Sequence, residues 1–169
     1  MAIRNILHYP DPRLRQKALP VGEITPAIIK LIDDMAETMY AAPGVGLAAT
    51  QIGEPHRVFI IDIAAEDEPS NLMVFVNPEI ISTEGSCTSP EGCLSFPGVS
   101  EDIKRAEIVR VRALGRNGKT FELEADGLLA VAIQHENDHL DGMLMIDRVG
   151  MLKKRIIQRK MQKRNEAAS

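Results

Sequence analysis

The chain has 169 residues, enough for one compact domain that buries roughly 70% of the surface of its unfolded form. Hydrophobic residues make up 44% and charged residues 26%, which excludes a disordered or fibrous chain, and no apolar run is long enough to span a bilayer. The net charge of −4 divides unevenly: residues 148–169 hold eight Lys/Arg against one acid (+7), and the rest holds 12 basic and 23 acidic groups (−11).

Thr25-Pro26 starts a helix, with a capping hydroxyl followed by proline in the first turn. Ile28, Ile32, Met35 and Met39 follow at helical spacing, and Pro43-Gly44 stops it. Gly44-Val45-Gly46-Leu47-Ala48-Ala49, with Asp62 beyond, fits a dinucleotide fingerprint, but a helix precedes it where a strand is required, so no nucleotide cofactor is expected. The segment runs on to Gln51, whose amide donors suit either a structural hydrogen bond or a developing oxyanion. Residues 57–63 and 72–76 read as buried strands that Ile80-Ile81 extend, and 84–98 (EGSCTSPEGCLSFPG) as a loop. Residues 106–113 alternate like a strand, Asn117-Gly118 turns the chain, and 120–125 return. Helices follow at 127–140 and 152–164. The basic tail suggests a polyanionic partner, or equally a solvated helix face. Two cysteines make no disulfide framework and the N-terminus has no apolar segment of secretory length, so a reducing cytoplasm is the expected location.

The 127–140 helix carries His135, Glu136 and His139 as H-E-x-x-H. Residues four apart share a helix face, so both imidazoles can grip one ion while Glu136 acts on water at the site. A catalytic site of this kind uses three protein ligands. The metzincin extension matches at Gly142 but places Met145 where histidine is needed, and a thioether suits such an ion poorly. Glu166 lies close to the chain end, and Asp141 and Asp147 follow the helix too closely. The third ligand is therefore sought upstream. Cys93 is the candidate, since a thiolate binds zinc or ferrous iron and Gly92 lets the backbone turn close to the ion. Cys87 reads as an ordinary small residue. Leu128, Val131 and Ala132 share a stripe with both histidines, which turns the imidazoles inward, where an unpaired one is costly. The expected fold is α+β: short antiparallel strands packed around a central metal-binding helix, with a C-terminal helix. Residues 1–147 form the catalytic part, and 148–169 a basic helix of the same domain. The same motif admits a metallopeptidase. It also admits a ribosome- or nucleic-acid-binding module around a structural metal, which would need Cys87 as a fourth ligand.

Three stretches in this order, GVGLAATQ at 44–51, EGCLS at 91–95 and QHENDH at 134–139, resemble the peptide deformylases. HYPDPRLRQKALPV at 8–21 resembles the family's N-terminus, so the resemblance covers the whole chain, and the long basic C-terminal helix resembles the Gram-negative type. It implies removal of the N-formyl group from nascent formyl-Met polypeptides, releasing formate. Cys93, His135 and His139 would hold one divalent ion, natively Fe2+, with Zn2+, Ni2+ or Co2+ able to substitute. Glu136 would be base and then acid, and the Gln51 side chain and the Leu94 backbone N–H would stabilise the oxyanion. The substrate backbone would add as a strand near Val45, Gly46 and Gly92. Leu128, Val131 and Ala132, with Val45, would line an apolar pocket suited to methionine. The basic helix would make the ribosome its partner.

Overall fold

The computed structural model describes residues 2–168. Five strands form an antiparallel sheet in the order β1-β2-β3-β6-β7: β1 Gly46–Ala48, β2 Val58–Ile61, β3 Met73–Glu84, β6 Ile108–Leu114 and β7 Thr120–Ala125. β4 (Cys87–Gly92) and β5 (Ser100–Arg105) pair as a separate two-stranded ribbon. The helices are α1 (Pro26–Ala41), α2 (Gly127–Leu140) and α3 (Met151–Ala168).

The sheet is covered on both faces, which explains why β2 reads as an unbroken apolar run. Val58 and Ile60 point to α1, where Ile28, Leu31, Ile32, Met35 and Met39 are buried. Phe59 and Ile61 point the other way, into a core with Phe75, Val109, Val111 and the α2 residues Ala130, Ile133 and Leu140. A third core joins Phe96, Val99, Ile103, Leu144 and Ile146 to Ile157 and Met161 of α3. No helix among the described residues is long and apolar enough to cross a membrane.

Two expectations change. The segment expected as a loop over 84–98 contains β4, and β5 follows where no strand was expected. The ribbon has one exposed side and only alternate partial burial, and its sequences CTSPEG and SEDIKR carry no apolar alternation. The strands at 72–76 and 80–81 are one strand, β3, interrupted by register shifts after Val76 and Ile80. At the first shift Asn77 stands at φ 51°, and its side chain accepts from the Val21 N–H at 2.7 Å and donates to the Val21 carbonyl at 2.8 Å.

The C-terminal end of α2 is fixed from several sides. The Ala18 N–H donates to the Leu140 carbonyl at 2.8 Å and the Thr50 hydroxyl to the His139 carbonyl at 3.3 Å. Arg57 donates to Asp141 at 3.0 Å. Gly142 reverses the chain at φ 75°, where a Cβ would stand 2.5 Å from the Arg15 carbonyl oxygen. Its glycine serves this reversal, not a longer metal motif. Gly142→Ala should therefore destabilise the protein by roughly 2–3 kcal/mol, read as a lowered urea midpoint.

Candidate active site

α2 is a buried helix with a polar end. His135, Glu136, Asp138 and His139 are each less than a tenth exposed. Helical spacing puts His135 and His139 one turn apart, with ring centroids 5.1 Å apart at 67°. Cys93, in the bend that follows β4, brings its Sγ within 3.4 Å of His139 Nε2. Donor atoms of Cys93, His135 and His139 all lie within 4.8 Å of one another, and among the described residues no other group of three could hold an ion. Cys87 does not join them, so the four-ligand structural site is not formed.

The donor set fits a divalent cation of borderline softness: one sulfur and two imidazole nitrogens with room for a fourth position. Three buried side-chain polar atoms among the described residues lack a hydrogen bond, and two of them are here, His139 Nδ1 and Glu136 Oε1. Burial disfavours charge on His135, but Cys93, Glu91 and Glu136 around it outweigh this and hold its pKa well above the ordinary value. Burial and the neighbouring His135 hold His139 well below its own. His135 Nδ1 lies 2.9 Å from Glu91 Oε1. Glu91 is clamped in turn by Arg105, a residue to which the sequence assigns no role.

The glycines of the 44–51 segment have a steric reason. A Cβ on Gly46 would stand 2.6 Å from Glu136 Oε2, and one on Gly44 would stand 2.8 Å from Leu94 Cδ1. The chain entering β1 passes this close to Leu94, and β1 this close to α2, because neither position carries a side chain. At Gly92 a Cβ would meet the Val99 carbonyl oxygen at an ordinary 3.6 Å, so its protein neighbours leave more room than those of Gly44 and Gly46. Burial pushes Glu136 up to about 7, against the pull of His135 and Arg105. The Gln51 amide is fixed by the Ala48 N–H, which donates to its Oε1 at 3.0 Å. Its Nε2 points to Ser95 Oγ at 3.0 Å and Cys93 Sγ at 3.6 Å, so the donor is aimed at the ligand cluster.

Two adjoining cavities meet at Val45, Gly92, His135 and Glu136. One, of about 410 Å³, is walled by Leu128, Val131, Ala132, Pro90, Ser89 and Cys87. Leu128 and Val45 are about half exposed, at 57% and 49%, so they form its rim and not the core. The other, of about 370 Å³, runs past Gly44, Gly46, Gln51, Cys93 and Leu94 toward Phe96–Val99. All the sequence-derived site residues therefore line one cleft or touch its walls.

Comparison with known proteins identifies the family. The polypeptide deformylase family matches residues 3–155. A peptide deformylase of Alkalilimnicola ehrlichii is 54% identical over 163 residues, covering 96% of this chain and 91% of the relative. The crystal structure of a peptide deformylase from Legionella pneumophila superposes with a TM-score of 0.93 at 47% identity, covering 99% and 98% of the two chains. That of the Ehrlichia chaffeensis enzyme in complex with actinonin gives 0.92 at 34% identity, covering 97% and 98%. The chain belongs to the polypeptide deformylase family, metal-dependent hydrolases that remove the N-formyl group from N-formylmethionine.

Proposed function

We propose that the cleft between β1, β4 and α2 deformylates new polypeptides, with Cys93, His135 and His139 holding the ion and Glu136 moving the proton. The observation that carries this reading is the convergence of three distant stretches, at 44–51, 91–95 and 134–139, on one cleft. When bound, the ion lowers the pKa of a water toward neutrality and polarises the formyl oxygen. Glu136, pressed against Gly46, takes a proton from the attacking water and returns it to the leaving amine as the formyl C–N bond breaks. The Gln51 Nε2 and the Leu94 backbone N–H donate to the oxygen that becomes negative. Val45, Gly46 and Gly92 offer backbone on either side of the cleft for a substrate running as an added strand. Leu128, Val131, Ala132 and Val45 surround the methionine side chain. Fe2+ is the native ion in this reading, with Zn2+, Ni2+ and Co2+ as substitutes. Free cysteines and a nascent substrate support a cytoplasmic location in this reading.

The deciding experiment is formate release from a formyl-Met peptide. Formyl-Met should exceed formyl-Ala by about tenfold or more in kcat/KM, since burying each extra CH2 is worth about 0.8 kcal/mol. Equal efficiency on the two would count against the pocket. No formate at all from the metal-loaded protein would overturn the reading.

Ligand and base separate by substitution. Cys93→Ser should lose both metal and activity, and Cys87→Ser should keep both. Glu136→Gln should keep its metal and lose about 10²–10⁴-fold in kcat. Metal analysis of the purified variants beside their turnover decides each assignment, and a metal-free Cys87→Ser would reverse the first.

The tail reading concerns α3. Ile157 and Met161 are buried against the body, whereas Leu152 and Ile156 are exposed beside Arg155, Arg159 and Lys163. Lys153 pairs with Glu101 at 3.2 Å and Lys160 donates to the Gly98 carbonyl at 2.8 Å, so those two are engaged with the body. The outer face meets the ribosome in this reading. Replacing Arg155, Arg159 and Lys163 by glutamine should leave turnover of short peptides intact and weaken salt-sensitive cosedimentation with ribosomes. Unchanged cosedimentation would make that face an ordinary solvated one.

A further inference from the structure

We propose that Arg105 is a positioning residue for the metal centre: it fixes which nitrogen of His135 faces the ion, and Arg148 anchors it from the segment leading into α3. The inference rests on the reading of Cys93, His135 and His139 as the ligands. A neutral imidazole offers a lone pair at one nitrogen only when the other carries the hydrogen. At His135 a carboxylate held 2.9 Å from Nδ1 accepts a hydrogen bond from that nitrogen, keeps the hydrogen there and leaves the Nε2 lone pair for the ion. A glutamate side chain has rotatable bonds to spare, so the effect depends on what holds Glu91.

Arg105 holds it in a fork. Its Nε lies 2.8 Å from Glu91 Oε2 and its Nη2 lies 2.9 Å from Oε1, the oxygen that also faces His135. The remaining arm, Nη1, reaches Asp138 Oδ2 at 2.7 Å. Asp138 lies three residues after His135 and one before His139. The guanidinium is thus braced against the helix whose ligand it orients. Arg148 closes the set, with Nη2 2.7 Å from Asp138 Oδ1 and Nε 3.1 Å from Oδ2. The Arg105 side chain is 2% exposed and that of Arg148 is 37% exposed. Two carboxylates meet two guanidinium groups, so the buried cluster adds no net charge beside the ligand. A buried ion pair is weak grounds for stability alone. An oxygen shared between guanidinium and ligand imidazole is what points to positioning.

The test compares wild type with Arg105→Lys, which keeps the charge and loses the fork, and with Glu91→Gln and Arg148→Gln. Zinc affinity is measured by chelator competition, and the visible ligand-field spectrum is recorded with saturating Co2+. Arg105→Lys and Glu91→Gln should weaken zinc about 10–100-fold and shift the cobalt bands, while far-ultraviolet circular dichroism stays unchanged. Arg148→Gln should shift both in the same direction by less. A folded Arg105→Lys protein with wild-type zinc affinity and an unshifted cobalt spectrum overturns the proposal. Should that variant fail to fold, the same two wild-type readings from Glu91→Gln overturn it instead. A wild-type protein that binds no zinc or cobalt sinks the ligand assignment and this inference with it, whereas normal uptake with unaffected variants removes only the role of Arg105.

Discussion

The structure depends on the burial of a helix that is not apolar. A helix ending in two histidines, a glutamate and an aspartate would ordinarily turn that end to water. Here the sheet covers α2 on one side and the β4–β5 ribbon lies on another, so each polar group needs a partner inside the protein. The Thr50 hydroxyl, the Ala18 N–H and Arg57 serve the last turn, and Glu91, Arg105 and Arg148 serve His135 and Asp138. Glu136 Oε1 is left over, beside a sulfur and two imidazoles drawn together. The reactive end of the helix is the part that the fold does not neutralise.

The same burial explains which features can be read from the linear chain. H-E-x-x-H is local, because helix geometry alone puts positions 135 and 139 on one face. Cys93 is sought by ligand counting, since a two-histidine site lacks a third donor and no residue downstream of the helix suits. The bounds of α2 and β7 match the expected 127–140 and 120–125, because apolar spacing marks the helix and the Asn117-Gly118 turn marks the strand. Arg105 is invisible by comparison. Its partner Glu91 is 14 residues away, on a strand joined to its own by backbone pairing and not by apolar alternation. Nothing in the composition of either strand announces the pair. The link between Asp138 and Arg148 is near in sequence, but its meaning appears only once Asp138 is seen to be buried.

The glycines show a third case. Gly44 and Gly46 draw attention as a nucleotide-like pattern, and the pattern is misleading while the residues matter. What they provide is clearance of a few tenths to one ångström, between β1 on one side and Leu94 and Glu136 on the other. Such clearance is a property of two packed elements, and no single segment encodes it.

That clearance has a consequence for inhibitors. Where the chain passes the cleft at Gly44 and Gly46, leading into β1, both positions present bare main chain, and an added Cβ would crowd Leu94 or Glu136. A compound that gains its affinity from peptide groups along this stretch faces a surface that point mutation cannot readily reshape. Resistance by substitution at Gly46 would displace the Glu136 carboxylate before it displaced the drug. Escape should instead arise at the exposed rim, at Val45 or Leu128, where a changed side chain alters the pocket wall and leaves the buried polar groups in place.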